Sequence, residues 1–405
     1  MKTSIILGLG YGDEGKGLTT DYLCRQSDRP LVIRFSGGHQ AGHTVVTPDG
    51  IRHVFSNFGA GTLNDAPTYW SKYCSFNPIA FWNEWQALQQ VGFQPKLFVD
   101  ALAKVTTPFD IFHNQSKEKK QKHGSCGVGF GATMARNQTP YKLYVQDLLY
   151  PQVLRQRLQA IGQYYAQLSG KKYLADELKE ELDLFLRLSD ELAPTLSIVT
   201  ESNFVKRFNK YDHLIFEGSQ GILLDMDHGF FPHVTYANTT SKNAIQILGD
   251  HQLLDPKQSQ IYYITRAYQT RHGNGFLSNE GLPVGYEPNP EETNQYNEWQ
   301  GTQRVSPLDL NLLNYAMDCD RNYSGDWQKN LVVTCLDQLR APIAATIDGE
   351  LRKYTSSSQL LSEIRQPIRN LLESHSACGA KMTICNQQIP NEHQFIATAN
   401  SAIFS

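Results

Sequence analysis

Between Gly10 and Gly17 the chain reads Gly-Tyr-Gly-Asp-Glu-Gly-Lys-Gly, with the carboxylate of Asp13 three residues ahead of the ammonium of Lys16. Glycine-rich backbone lets N–H groups face phosphate oxygens, and a lysine at the end of such a turn offsets their charge. The loop therefore reads as a phosphate cradle, with Gly12, Gly15, Lys16 and Gly17 at its centre. A phosphate loop of the usual kind carries Ser or Thr after the lysine to hold Mg²⁺, whereas this chain has Gly17 there, which makes Asp13 the candidate metal ligand. A second glycine-rich stretch, Gly37-Gly38-His39-Gln40-Ala41-Gly42-His43-Thr44, adds two histidines that can exchange protons near neutral pH. Phosphate binding, a carboxylate base and an imidazole together describe phosphoryl or group-transfer chemistry. The first loop alone equally describes a generic nucleoside triphosphatase.

Each of these loops needs a strand before it to hold it in place. Apolar runs at Ser4–Leu7, Leu31–Phe35, Lys96–Val99, His213–Phe216, Gln260–Thr265, Asn330–Thr334 and Gln394–Ala397 are spaced by tens of residues with helical patterns between them. That spacing predicts crossover connections, hence an α/β fold with a mostly parallel central sheet, helices on both faces and helical insertions. Open sheets of this kind bind ligands beyond the carboxyl ends of their strands, where both glycine loops fall. Leucines and other apolar residues recur at helical spacing from Leu154 to Leu186, so residues 151–195 read as a pair of amphipathic helices, a subdomain within a single catalytic domain spanning 1–405. Gly and Pro clusters from Arg271 to Pro290 mark a long loop able to close over a site.

Composition narrows the partners. The 37 Lys+Arg against 40 Asp+Glu give a net charge of −3, which supplies no field for nonspecific nucleic-acid or membrane attraction. No apolar run approaches the ~18 residues of a membrane helix, and Met1-Lys-Thr leads straight into a strand without signal-peptide anatomy, so a cytoplasmic location is expected. Seven scattered cysteines without a C-x-x-C pair predict reduced thiols rather than a disulfide framework or a zinc site.

The two glycine loops, together with Phe216-Glu-Gly-Ser-Gln220-Gly-Ile-Leu-Leu-Asp225-Met-Asp227-His228 and its continuation through Thr235 to Thr240, resemble the adenylosuccinate synthetase family in the family's order. The C-terminal third adds a weaker match through Thr334-Cys335-Leu336-Asp337 and Ala397-Thr398-Ala399-Asn400. The resemblance implies a ligase that uses GTP and Mg²⁺ to phosphorylate the 6-oxygen of IMP and then displaces phosphate with the amino group of aspartate, in a homodimeric enzyme of purine biosynthesis. Within it Asp13 takes the purine N1 proton and contacts Mg²⁺, with the Gly42 carbonyl as a further metal ligand. His43 and Lys16 act on the transferring phosphoryl group, and Gln220 meets the base edge. GTP lies on Gly12, Gly15, Lys16, Gly17, Gly42 and Thr44, with Asp337 accepting hydrogen bonds from guanine. The acceptor nucleotide falls to Gln40, Ser125, Cys126, Gln220 and Thr235, with Arg136 as the arginine that reaches a neighbouring subunit's phosphate site.

Departures from the family pattern gather on two segments. Ser125-Cys126-Gly127-Val128 carries a cysteine and a valine where the family has threonine and arginine. Around Gly301-Thr302-Gln303-Arg304 the family has a longer loop with several arginines that hold the aspartate carboxylates, and here Thr302 and Arg304 remain, with Arg271 in a neighbouring loop as a second cation. Alternatives therefore keep the chemistry but change the amine or the purine nucleotide. A non-catalytic nucleotide-binding homologue is a further alternative, which an Asp13→Ala variant with intact nucleotide affinity would distinguish.

Overall fold

The computed structural model describes residues 1–290, 296–340 and 342–374. One sheet of nine strands runs through it: β1 (Lys2–Gly8), β2 (Pro30–Arg34), β3 (Thr68–Trp70), β4 (Leu97–Asp100), β5 (Ser197–Val199), β6 (His213–Glu217), β7 (Ser259–Arg266), β8 (Gln328–Thr334) and β9 (Asn370–Glu373). Their spatial order is β9-β8-β7-β1-β6-β2-β3-β4-β5, and every pairing is parallel. Six of the seven apolar runs expected to be strands are strands of this sheet. The seventh, Gln394–Ala397, and the segment Ala397–Asn400 lie outside the described residues.

The central strands are buried on both faces, which is why they read as unbroken apolar runs rather than alternating ones. Ile5, Leu7, Ile33 and Phe216 point to one side, where they join Ala244 and Ile247 of the Lys242–Asp250 helix and Leu313 and Met317 of the Leu310–Ser324 helix. Ile6, Val32, Ile215 and Val332 point to the other and meet Leu23 and Cys24 of the Lys16–Arg25 helix. Burying a Val, Leu or Ile side chain is worth roughly 1.5–3 kcal/mol, so this two-faced burial fixes strand register strongly.

A second apolar core lies beside the β3–β5 end of the sheet, built from Trp70, Phe76, Phe109, Leu154, Leu158 and Phe185 among others. Within residues 151–195 the helices are Pro151–Ser169 and Lys179–Leu192, with a short one at Leu174–Glu177 between them. The leucine spacing continues across a break at Leu178, which the periodicity did not reveal. Among the described residues no helix is long and apolar enough to cross a membrane.

Candidate active site

β1 ends at Gly8 and the chain turns back into the Lys16–Arg25 helix through residues 9–15. Three consecutive requirements shape that turn. Gly12 (φ 104°) and Gly15 (φ 100°) take left-handed backbone that side chains disfavour, and Asp13 does so at φ 60°. Glu14 folds inward, where its carboxylate accepts the N–H groups of Gly10 and Gly12 at 2.9 Å each and the Lys16 ammonium at 2.7 Å. Gly17 packs on the next loop so closely that a Cβ there would stand 2.8 Å from the Cβ of His43. The turn is thus wound around a buried carboxylate, and the following helix begins at Lys16 and Gly17, which line the cavity and whose N–H groups have no intrahelical partner.

The loop after β2 delivers His43 as the first residue of a β-hairpin, His43–Val46 with Arg52–Phe55. Its Nδ1 lies 2.6 Å from Oε1 of Glu217, the last residue of β6, so Nε2 is the nitrogen left to meet a ligand. The other Glu217 oxygen accepts the Ala60 N–H at 3.1 Å and lies 4.0 Å from the Arg34 guanidinium. Burial pushes the Glu217 carboxyl up, but His43, Arg34 and the Ala60 N–H outweigh it and hold the group below the usual range. For His43 burial wins over Glu217, so the free protein's imidazole is neutral at neutral pH, with its proton on Nδ1 toward Glu217 and Nε2 open to accept one.

Asp13 is the most perturbed carboxyl of the site. Burial raises it, yet His272, whose Nε2 is 3.2 Å from Oδ2, together with Arg266 and Lys16, brings it down to about 2. It is fully ionised at neutral pH. Arg266, the last residue of β7, also donates through Nε to the Asp13 carbonyl, which ties the loop to a neighbouring strand.

Asp13, Glu14, Lys16, His43, Arg266 and His272 line one cavity of about 540 Å³. Among the residues expected at a site, Gly12, Asp13, Gly15, Lys16, Gly17, Gln40, Gly42, His43 and Thr44 line it, as do Ser125, Cys126, Arg136, Gln220, Thr235 and Arg271. Both amide atoms of Gln40 and Oε1 of Gln220 are buried without a hydrogen-bond partner, which marks a place where a polar ligand completes the bonding. Among the described residues no cluster of three or more His, Cys, Asp or Glu side chains is arranged to hold a metal by itself. A lone carboxylate, Asp13, with the Gly42 carbonyl nearby on the same cavity instead suits Mg²⁺ that arrives on phosphates and keeps most of its other ligands from them and from water.

Other expected residues stand elsewhere or are engaged differently. Arg136 is fully buried: Nε and Nη2 meet the Asp110 carboxylate at 2.8 and 3.0 Å, and Nη1 and Nη2 each donate to a carbonyl, of Tyr141 and Val105, at 2.7 Å. Asp110 is preset for this by a capping box with Thr107 at the start of the Pro108–Gln121 helix. Arg136 thus borders the cavity while its guanidinium ties the Phe130–Arg136 helix to the Pro108–Gln121 helix, so in this structure it is spent within its own chain rather than extended toward another subunit. Ser125 lines the cavity, but its hydroxyl donates to Glu118 at 2.8 Å and its N–H to the same carboxylate at 3.2 Å, so an internal anion already holds these donors. Thr302 is exposed, and Arg304 spends its guanidinium on Glu280 (3.0 Å) and on the carbonyls of Gly273 and Gly275 (2.8 and 2.9 Å); neither lines the cavity. Arg271 lines it while donating to the carbonyls of Asn274, Phe276 and His233 and covering the Tyr11 ring at 4.4 Å. Asp337 is exposed on the turn after β8 and does not line the cavity.

Sequence reasoning missed Glu14, Glu217, Arg266 and His272. Glu217 had a signal, a charge closing the apolar run His213–Phe216; the others reach the site through pairings that no spacing announces.

A family model described as adenylosuccinate synthetase matches residues 5–398. The adenylosuccinate synthetase of Chlorobium chlorochromatii (strain CaD3) is 28% identical over 394 residues, covering 93% of this chain and 87% of that protein. That of Helicobacter pylori (strain G27) is 29% identical over 350 residues, covering 85% and 83%. Of solved structures, the fully ligated adenylosuccinate synthetase from Plasmodium falciparum superposes with a TM-score of 0.69 at 22% identity, over 88% of this chain and 84% of that one. The succinoaminodeoxyadenylate synthetase of cyanophage S-2L, bound to dGMP and to dATP as an energy donor, superposes with a TM-score of 0.60 at 16% identity, over 93% of each.

Proposed function

The chain belongs to the adenylosuccinate synthetase family, and from that premise we propose how its own residues carry out the GTP-dependent joining of IMP to aspartate. A lactam oxygen is a poor leaving group, so the 6-oxygen must first be made into a phosphate ester. The ionised Asp13 carboxylate accepts a hydrogen bond from purine N1–H and takes up that proton as O6 attacks the γ-phosphorus of GTP and GDP departs. His43, held through Nδ1–H by Glu217, takes up a proton from solvent at Nε2 as the anionic phosphates bind beside it and as imidazolium donates from there to the oxygens gathering charge, and Lys16 turns from Glu14 to the phosphates. The aspartate amine then adds at C6, phosphate leaves, and the amine proton is lost. Mg²⁺, carried on the phosphates against Asp13 and the Gly42 carbonyl, supplies charge neutralisation when bound. Gln220 meets the base edge and Gln40 and Thr235 the acceptor nucleotide, while Asp337 faces the donor base.

The observation that carries this reading is the convergence of Asp13, His43 and the unpartnered amide oxygen of Gln220 on one cavity. Nucleotide binding alone requires no carboxylate and imidazole held so firmly. Incubating the protein with IMP, GTP, Mg²⁺ and aspartate tests it: adenylosuccinate absorbance with stoichiometric GDP supports the reading, and no product rejects it. A second reading replaces aspartate by an amine with fewer carboxylates. It draws on Arg271 and Arg304, whose guanidiniums are spent on backbone carbonyls and Glu280 rather than presented to a dicarboxylate. A panel of amines in the same assay separates the two. A homodimer, a cytoplasmic location and a single catalytic domain complete the proposal, and light scattering tests the first.

A further inference from the structure

The segment Arg271–Phe276 runs along the cavity with unusual restraint for a loop. The Gln269–Arg271 strand pairs antiparallel with Arg304–Ser306, which sets Arg271 directly opposite Arg304. Both guanidiniums then turn into the loop backbone, Arg271 onto the carbonyls of Asn274 and Phe276 and Arg304 onto those of Gly273 and Gly275. Gly273, at φ 71°, packs so tightly on Gly124 that a Cβ would stand 2.6 Å from its carbonyl oxygen, and its N–H donates to the Gln300 carbonyl at 3.1 Å. Four side-chain bonds and a close backbone contact thus fix the path of the chain on either side of His272.

The imidazole takes no part in that scaffold. Neither ring nitrogen has a well-aligned hydrogen-bond partner; Nδ1 and Nε2 are both buried, and the charged group beside the ring is Asp13, with Oδ2 3.2 Å from Nε2. A buried ring that contributes no bond to its own loop and lies against a carboxylate from a distant loop has its polar function at that carboxylate. Asp13 itself sits in left-handed backbone (φ 60°) in a turn between two glycines of positive φ, outside helix and strand, so no regular element carries its side chain.

We propose that His272 is a positioning residue for Asp13, fixing one carboxylate oxygen so that the carboxylate meets the reacting edge of the acceptor base. The two arginines opposite each other serve the same end by holding the loop that presents the ring. This assigns Arg271 and Arg304 an indirect part in catalysis and rests on the reading of Asp13 as the group that takes the N1 proton.

His272→Ala and His272→Gln test the proposal, since the glutamine amide offers a donor at similar reach. A misplaced catalytic group costs up to about 100-fold in rate. The alanine variant is expected to lose roughly 30-fold in kcat with KM for IMP and GTP within about threefold, and glutamine to recover most of the loss. An unchanged kcat, a loss confined to KM for IMP, or a glutamine variant no better than alanine overturns it. A readout without substrates separates this inference from the proposed activity. In crystals of ligand-free His272→Ala, the Asp13 carboxylate should leave the rotamer it holds in the wild type. An unmoved Asp13 contradicts the inference even if the wild type makes adenylosuccinate, and a wild type without activity rejects the functional reading while the rotamer still decides this one.

Discussion

Replacing Glu217 by glutamine isolates the electrostatic support behind His43. The side chain keeps its shape, and its amide can still reach His43 Nδ1, which stands 2.6 Å from the carboxylate in a pair that is 7% and 0% exposed. What disappears is charge. A hydrogen bond to a charged group contributes about 1.5–3 kcal/mol and a neutral one about 0.5–1.5, so roughly 1–2 kcal/mol of support for the developing imidazolium is lost. At about 1.4 kcal/mol per decade, kcat should fall roughly 5–30-fold. A second effect follows from the opposite oxygen, which accepts the Ala60 N–H at 3.1 Å: an amide that keeps its oxygen toward His43 Nδ1–H turns its NH₂ onto the Ala60 N–H, one donor facing another, whereas the opposite flip forces His43 into the other tautomer. That conflict costs about 1–3 kcal/mol of stability and lowers the thermal midpoint. Steady-state kinetics at saturating nucleotide and a thermal melt check both. Wild-type kcat would refute the argument that Glu217 acts on the reaction through His43.

Three further outcomes follow from the same geometry. Gly17→Ala places a Cβ 2.8 Å from the His43 Cβ and 3.3 Å from its Cα and carbonyl carbon, so His43 must shift; activity should fall at least tenfold with about 1–3 kcal/mol of overpacking cost, read by kinetics and melting. Arg136→Ala leaves the buried Asp110 charge and two carbonyls without their partner, and should destabilise by about 3–5 kcal/mol in a melt while leaving KM for IMP in any surviving folded enzyme near wild type. His213, buried between Ser4 and Ser27 hydroxyls at 2.8 and 2.9 Å, is pushed by burial down to about 4. Because the unfolded chain takes up this proton near 6.5 and the folded one near 4, the contribution is complete above 6.5. It is lost as pH falls toward 4, by about 3 kcal/mol. The melting temperature should drop across that window, and His213→Gln should flatten the slope.

The sheet was legible because its central strands are buried on both faces and so appear as apolar runs such as Ser4–Leu7 and Asn330–Thr334. The short strands Thr68–Trp70, Ser197–Val199 and Asn370–Glu373 were not, since three or four residues carry too little periodicity to stand out from loop. The glycine loops announced themselves through local backbone demands. Partnerships did not: His43 and Glu217 are 174 residues apart, and nothing in Arg136 or Arg304 as letters distinguishes a ligand-binding arginine from one that ties helices or loops together. Glu14, inside the most informative motif of the chain, went unassigned because its role is to fold the loop inward.

The central claim is that the 6-oxygen of the acceptor leaves as phosphate. IMP labelled with ¹⁸O at that position, turned over with GTP, Mg²⁺ and aspartate, tests it most directly. Mass spectrometry of the products should find the label in released inorganic phosphate, one atom per adenylosuccinate formed. Label released in water, or GDP formed while all of it stays on the purine, would contradict the account.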